Sequence, residues 1–187
     1  MSKAEKLLIL TAVCLVALLG LGCESRTDKG GSGGVLLSVS DFDGLPVAIS
    51  VNAAAGGLVQ IEQVTLENIT ADPDAISGDL MNIEIQSYEV TYTRADAGTR
   101  LPPPFVRNLF GVVTAGGTTD FLNLPVMGSE QLLNAPLEDL LFVNGGFDQE
   151  TGDAVIILNI HMRFFGRTLS GDPVISAPAS FTVEFTQ

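Results

Sequence analysis

From Val35 onward the dominant spacing of apolar side chains is two, the period of strands with one buried face. Val47, Ile49 and Val51 alternate with Ala48, Ser50 and Asn52; Phe181, Val183 and Phe185 alternate with Ser180, Thr182 and Glu184. The clearest run lies in residues 155–165, where Ile156, Leu158, Ile160, Met162 and Phe164 share one face and Asn159, His161 and Arg163 the other. Val155 and Ile157 also fall on that second face, which predicts a strand that starts buried on both sides and becomes half-exposed further along.

Two runs change phase. Val59 and Ile61 are followed by Val64 and Leu66 at opposite parity, and Ile83 and Ile85 by Tyr88, Val90 and Tyr92. One extra residue moves every later side chain to the other face unless a bulge absorbs it, so bulges or breaks are predicted near Glu62-Gln63 and Gln86-Ser87. Turn residues separate the runs at Asp43-Gly44, Gly56-Gly57, Ser77-Gly78, Gly116-Gly117, Gly145-Gly146, Gly152-Asp153 and Gly171-Asp172-Pro173. Many short strands between such turns predict an all-β antiparallel sandwich or barrel over residues 35–187. Residues 129–141 break the pattern, with Ser129 as a capping residue, leucines at helical spacing and an interrupting Pro136. They predict two short helical turns covering one end of the core.

The first 22 residues do not belong to that pattern. Lys3 and Lys6 form a basic start, and residues 7–22 are apolar apart from Thr11. Sixteen residues is shorter than the roughly 20 a spanning helix needs and matches the core of an export signal. The segment ends in Leu19-Gly20-Leu21-Gly22-Cys23. This resembles the lipobox of bacterial lipoproteins, in which a small residue precedes a cysteine that is diacylated and becomes the mature N-terminus. The resemblance implies lipidation of Cys23, an address in the bacterial cell envelope and attachment to the membrane through the anchor. Cys14, after Val13, reads as a bystander in the signal. Residues 24–34 lack any large apolar side chain and end in five Gly or Ser, the composition of a flexible tether. With two or more acyl chains as anchor, the domain needs no membrane-binding surface of its own.

Charge sharpens the picture. Of the chain's nine basic and 22 acidic residues, seven basic and 21 acidic remain after Gly22. Beyond Lys29 the only cations are Arg94, Arg100, Arg107, Arg163 and Arg167, which form no basic stripe, so nucleic acid is not an expected partner. With Cys23 the sole cysteine after the signal, an intramolecular disulfide and multi-cysteine metal or haem sites are excluded, and no cofactor is expected.

Four features could carry chemistry. His161 is the only imidazole, but no G-x-S-x-G elbow accompanies it, so it reads as a structural strand residue ahead of a hydrolase base. Acidic turns offer weak calcium candidates in Asp41, Asp43, Asp148, Glu150 and Asp153, with Asp72, Asp74 and Asp79 as a further group. None has the spacing of an EF-hand, and solvated turn carboxylates are the reading preferred. Pro102-Pro103-Pro104-Phe105 predicts a stiff loop crossing between sheets, or a docking epitope for an envelope partner. Ten Phe, two Tyr and no Trp favour rings that fill the core over a sugar-stacking face.

Residues 59–67, 87–94 and 166–168 and the Phe-containing last strand resemble immunoglobulin-like or fibronectin-III-like sandwiches. That likeness implies a non-catalytic binding or structural module and carries no site residues with it. A calcium-dependent adhesive or ligand-binding domain is the alternative, and a hydrolase using His161 a third.

Overall fold

The computed structural model describes residues 34–72 and 78–187. The signal, Cys23, most of the tether, and Asp74 with the Ser77 turn lie outside the described residues. The described chain is all-β, with nine strands: β1 (Val35–Asp43), β2 (Ala48–Ser50), β3 (Val59–Thr70), β4 (Ile83–Arg94), β5 (Phe105–Val113), β6 (Thr118–Met127), β7 (Val155–Thr168), β8 (Pro173–Ile175) and β9 (Ala179–Thr186). They form a three-stranded sheet, β1-β3-β6, and a larger sheet ordered β2-β9-β7-β4-β5, with β8 on β7. All pairings are antiparallel except that of β2 with β9.

The two sheets bury one core between them. Ile156, Leu158, Ile160, Met162 and Phe164 of β7 all point into it, as the alternation predicts, and so do Phe181, Val183 and Phe185 of β9. The start of β7 differs from expectation: Val155 is exposed and Ile157 only half-buried, because among the described residues no layer covers the outer face of this sheet. Val47, Ile49 and Val51 do not form one buried stripe either. β2 spans only three residues; Val47 is exposed ahead of it, and Val51 is buried as the first residue of a helical turn, Val51–Ala54.

The phase change in β4 is a bulge at Gln86. Two residues of β4 step past one of β7, and β5 compensates with an extra residue near Leu109-Phe110. In β3 burial also changes parity at Glu62-Gln63. Pairing with β6 nevertheless keeps one register from Gln60 to Glu67, and the distortion is taken up opposite, at Asn123, whose φ is 54°. The register shifts of this sheet fall instead at Ser40 in β1 and at Val126 in β6.

Two tyrosines clamp the sheets together. From β4, Tyr88 donates its hydroxyl to the Pro125 carbonyl (2.6 Å) and Tyr92 to the Val126 carbonyl (2.7 Å), both on β6. A bulge leaves backbone carbonyls without a ladder partner, and these phenols satisfy them inside the core. Burial pushes the Tyr88 hydroxyl up to about 12, with Arg107 opposing, and raises Tyr92 further, so both remain donors at any physiological pH.

The connector 129–141 folds as two short turns, Ser129–Leu132 and Leu137–Leu140, with Leu132, Leu137 and Leu140 fully buried at the end of the core. Capping differs from expectation: Gly128 holds the cap position, its N–H donating to Gln131 Oε1 (3.1 Å), and Ser129 lies inside the turn. The proline run joins β4 to β5, which are neighbours in one sheet, so it does not cross between sheets. Its Phe105 is buried against Tyr88, with the Arg107 guanidinium 5.2 Å from its ring centre, and is not available as an aromatic epitope.

Candidate functional site

The chain leaves two ends of very different character. Gly34, where the described domain begins, bonds through its carbonyl to Ala71, close to the Gly116-Gly117 turn that bonds Asn68. The other end holds the close of β4, the start of β7 and the loop 133–154. β7 alone separates the ends by 14 residues, roughly 45 Å at the usual strand rise.

At the far end four carboxylates meet two arginines. Arg94, the last residue of β4, has its side chain 3% exposed; its Nε lies 2.5 Å from Asp96 Oδ1 and its Nη2 2.7 Å from Asp148 Oδ2. Arg100 donates through Nη2 to Asp139 and, at 3.0 Å, to Asp148 Oδ1. Asp148 is fully buried and also accepts from the Thr151 hydroxyl and the Glu150 backbone N–H, both at 3.0 Å. Glu150 in turn accepts from the backbone N–H groups of Thr99 (2.8 Å) and Arg100 (3.0 Å). Gly98 lies so close against the Arg94 guanidinium that a Cβ has no room there.

A buried ion pair is not in itself strong evidence of net stabilisation, because removing both charges from water costs several kcal/mol per ion. Its structural effect is positional. Asp96 accepts from the Ile157 N–H of β7, and Asp139 from the Gln149 N–H, so the cluster ties loops 95–104 and 133–154 to the end of the large sheet.

Burial raises the Asp148 carboxyl, but hydrogen bonds from Arg94, Glu150, Thr151 and Arg100 outweigh it and hold the group at about 2. Asp96 is likewise lowered: burial opposes the shift, and bonds from Arg94, Ile157 and Gly98 prevail. Glu150 is lowered by the Thr99 hydroxyl and the two backbone N–H groups. A carboxyl with a depressed folded-state pKa contributes its stability above the unfolded value and loses it as pH falls through the folded one. For Asp148 alone the shift corresponds to about 2 kcal/mol. Urea midpoints are therefore expected to hold steady from pH 7 to 5 and to drop between pH 4 and 2. The drop should be shallower in Asp148→Asn, and equal slopes for variant and wild type would contradict this assignment.

This cluster fixes the loop that presents the largest aromatic and aliphatic exposure at this end. Asn52 bonds both sides of the Leu140–Phe142 bend, donating to the Leu140 carbonyl (3.3 Å) and accepting from the Phe142 N–H (3.1 Å). The Phe142–Asn144 turn then reverses through Gly145 and Gly146, whose φ values of 109° and 82° only glycine adopts without strain. Phe142, Val143 and Phe147 are left 69%, 87% and 51% exposed. Apolar side chains held outward on a fixed turn have the character of an interaction surface.

The other sequence candidates lie elsewhere. Asp41 and Asp43 are on β1 of the smaller sheet, and each accepts from the N–H of the following residue, Phe42 or Gly44. Asp153 shares the loop of Asp148 and Glu150, its carbonyl accepting from the Asp148 N–H (2.8 Å). The five calcium candidates thus fall on two separate sheets or loops, and a cation at Asp148 would have to displace both arginines. Asp72 and Asp79 lie at the opposite end, near Gly34. His161 sits on the outer face of the large sheet, its Nε2 2.9 Å from Thr93 Oγ1 and its Nδ1 3.1 Å from Ser180 Oγ. The hollow beside it is lined by Glu89, Thr91, Met162, Arg163 and Pro178. Two hydroxyls hold the ring and, among the described residues, no carboxylate hydrogen-bonds it, so it lacks the carboxylate that orients the histidine of a Ser-His-Asp triad.

Arg94, Arg100, Asp96 and Asp139, with the Phe142–Phe147 turn, are the groups that sequence reasoning missed. Two of the domain's five arginines only six positions apart were the available signal.

No protein-family model matches this sequence, and no curated protein matches it. Among solved structures, the chain is similar to the solution structure of a protein described as late embryogenesis abundant (LEA). Identity is 17% and the TM-score 0.45, over 100% of this chain and 90% of that one. A likeness at that level assigns neither family nor activity to the chain.

Proposed function

We propose that this protein is a non-catalytic lipoprotein of the bacterial cell envelope, anchored through Cys23, whose domain binds an envelope partner through the Phe142–Phe147 turn. The observation that carries the binding half is that apolar turn, exposed yet held by Asn52 and flanked by the arginine–carboxylate cluster. Preorganised contact groups lose little freedom on binding, and Phe142, Val143 and Phe147 offer apolar contact without a reactive atom. The Leu19–Cys23 pattern supports the anchor. The finer description of the fold, an immunoglobulin-like or fibronectin-III-like sandwich, draws support from antiparallel pairing in two facing sheets, with β2 and β8 as additions.

Metabolic labelling with a palmitate analogue is expected to tag the wild type and not Cys23→Ala; label retained on the variant removes the anchor. For the surface, a photo-crosslinking side chain at position 143 should give discrete protein adducts in intact cells. The same group at position 182, on the polar outer sheet face, should give none. Identical adduct patterns from the two positions would dismiss the turn as the contact site.

A further inference from the structure

The end of the domain that meets the tether is apolar in a way that neither the core nor the far turn requires. Immediately after Gly34, Leu36 pairs across the strand with Ile69, and both point outward at 55% and 41% exposure. Two adjacent turns add Leu80 and Leu169, 65% and 49% exposed, held side by side by backbone bonds from Leu169 N to the Asn82 carbonyl (2.9 Å) and from Ser170 N to the Leu80 carbonyl (3.1 Å). Met81, next to Leu80, lies against Gly34 itself. Four exposed aliphatic side chains therefore lie on the strands and turns at the end of the domain where Gly34 sits.

We propose that this leucine-rich end is a seat for the lipid bilayer, which sets the domain upright on the membrane surface. The inference rests on the anchored reading, and the length of chain between anchor and domain carries it. From Cys23 to Gly34 is eleven residues, a reach of at most about 40 Å even when fully extended. The acyl chains therefore keep this end within about 40 Å of the lipid, a bound that holds for Gly34 and its neighbours and not for the far turn. In sequence, Asp79 precedes Leu80, Asp172 closes the turn that holds Leu169, Asp72 follows the Ala71 bonded to Gly34, and Arg167 is the cation at the end of β7. Headgroups without net charge match these carboxylates better than anionic ones. The acyl chains supply the attachment, and the leucines fix its direction, leaving Phe142, Val143 and Phe147 pointing away from the bilayer.

The chain has no tryptophan, so a single introduced indole reports without background. Full-length protein carrying Leu80→Trp or Val143→Trp would be purified from membranes, its acylation verified by intact mass, and reconstituted into phosphatidylcholine vesicles containing brominated acyl chains. The expected result is at least threefold stronger quenching of Leu80→Trp than of Val143→Trp. That contrast should be lost when Leu36→Ser and Leu169→Ser are added, with the melting temperature unchanged because all the sites are exposed. Acylated protein with equal quenching at the two positions overturns the seat and leaves the anchor intact. Unacylated Cys23 overturns both.

Discussion

Replacing Asp148 with alanine is expected to lower the free energy of unfolding by about 3–5 kcal/mol at pH 7, the range for breaking a buried ion pair on one side only. Asp148 is the shared acceptor of the cluster, bonded to Arg94, Arg100, Thr151 and the Glu150 N–H. Its removal leaves the Arg94 guanidinium buried, with one nitrogen, Nη1, already without a partner among the described residues of the wild type. The double replacement Arg94→Met with Asp148→Leu removes the buried Arg94–Asp148 pair but leaves Asp96 without its guanidinium, so it should recover only part of the loss. Urea unfolding measures both. A loss under about 1 kcal/mol for the single variant would mean that water reaches Arg94 and that the cluster is not what holds the loop. Limited proteolysis adds an independent reading: cleavage between residues 138 and 153 should speed up in Asp148→Ala.

Phe164→Ala is expected to cost about 3–5 kcal/mol, through lost transfer free energy and the cavity left behind. Phe164 is fully buried on the central strand β7, its ring 5.7 Å from that of Tyr88, whose hydroxyl clamps the opposite sheet. Truncation therefore loosens the clamp as well as the core. Val143→Ala, at 87% exposure, serves as the contrast and should fall within about 0.5 kcal/mol of wild type. A comparable loss from both substitutions would place Val143 inside a packed structure and contradict its exposure on the turn.

The strands that cross the core were legible because alternation is a local property. β4, β7 and β9 each carry their own record of which face is buried, and the Gln86 bulge was visible as a change of parity. Where sequence reasoning failed, the deciding partner lay far along the chain. Asp148 in a Gly- and Asp-rich turn looks the same whether its oxygens meet water, calcium or arginine, and Arg94 stands 54 positions away. Val47 alternates correctly with its neighbours, yet no residue near it reveals that its strand ends after three positions. In β3 the parity change was visible, but its relief at Asn123 belongs to a partner strand. His161 was correctly placed on the polar side of its strand, while the Thr93 and Ser180 hydroxyls that hold it depend on the register of three strands.

The parallel pairing of β2 with β9 also dictates when the domain can close. Ala48, Ile49 and Ser50 bond to Glu184, Phe185 and Thr186, and the Ser50 hydroxyl donates to the carbonyl of Gln187, the final residue. β9 in turn fills the place between β2 and β7, with Phe181, Val183 and Phe185 in the core. Contacts between such distant segments are slow to form, because the intervening chain must be ordered first. Without β9, β7 lacks its neighbour on that side and the core lacks Phe181, Val183 and Phe185. The large sheet is thus completed only when two segments far apart in the sequence meet, and deletion of residues 179–187 should abolish cooperative unfolding in urea.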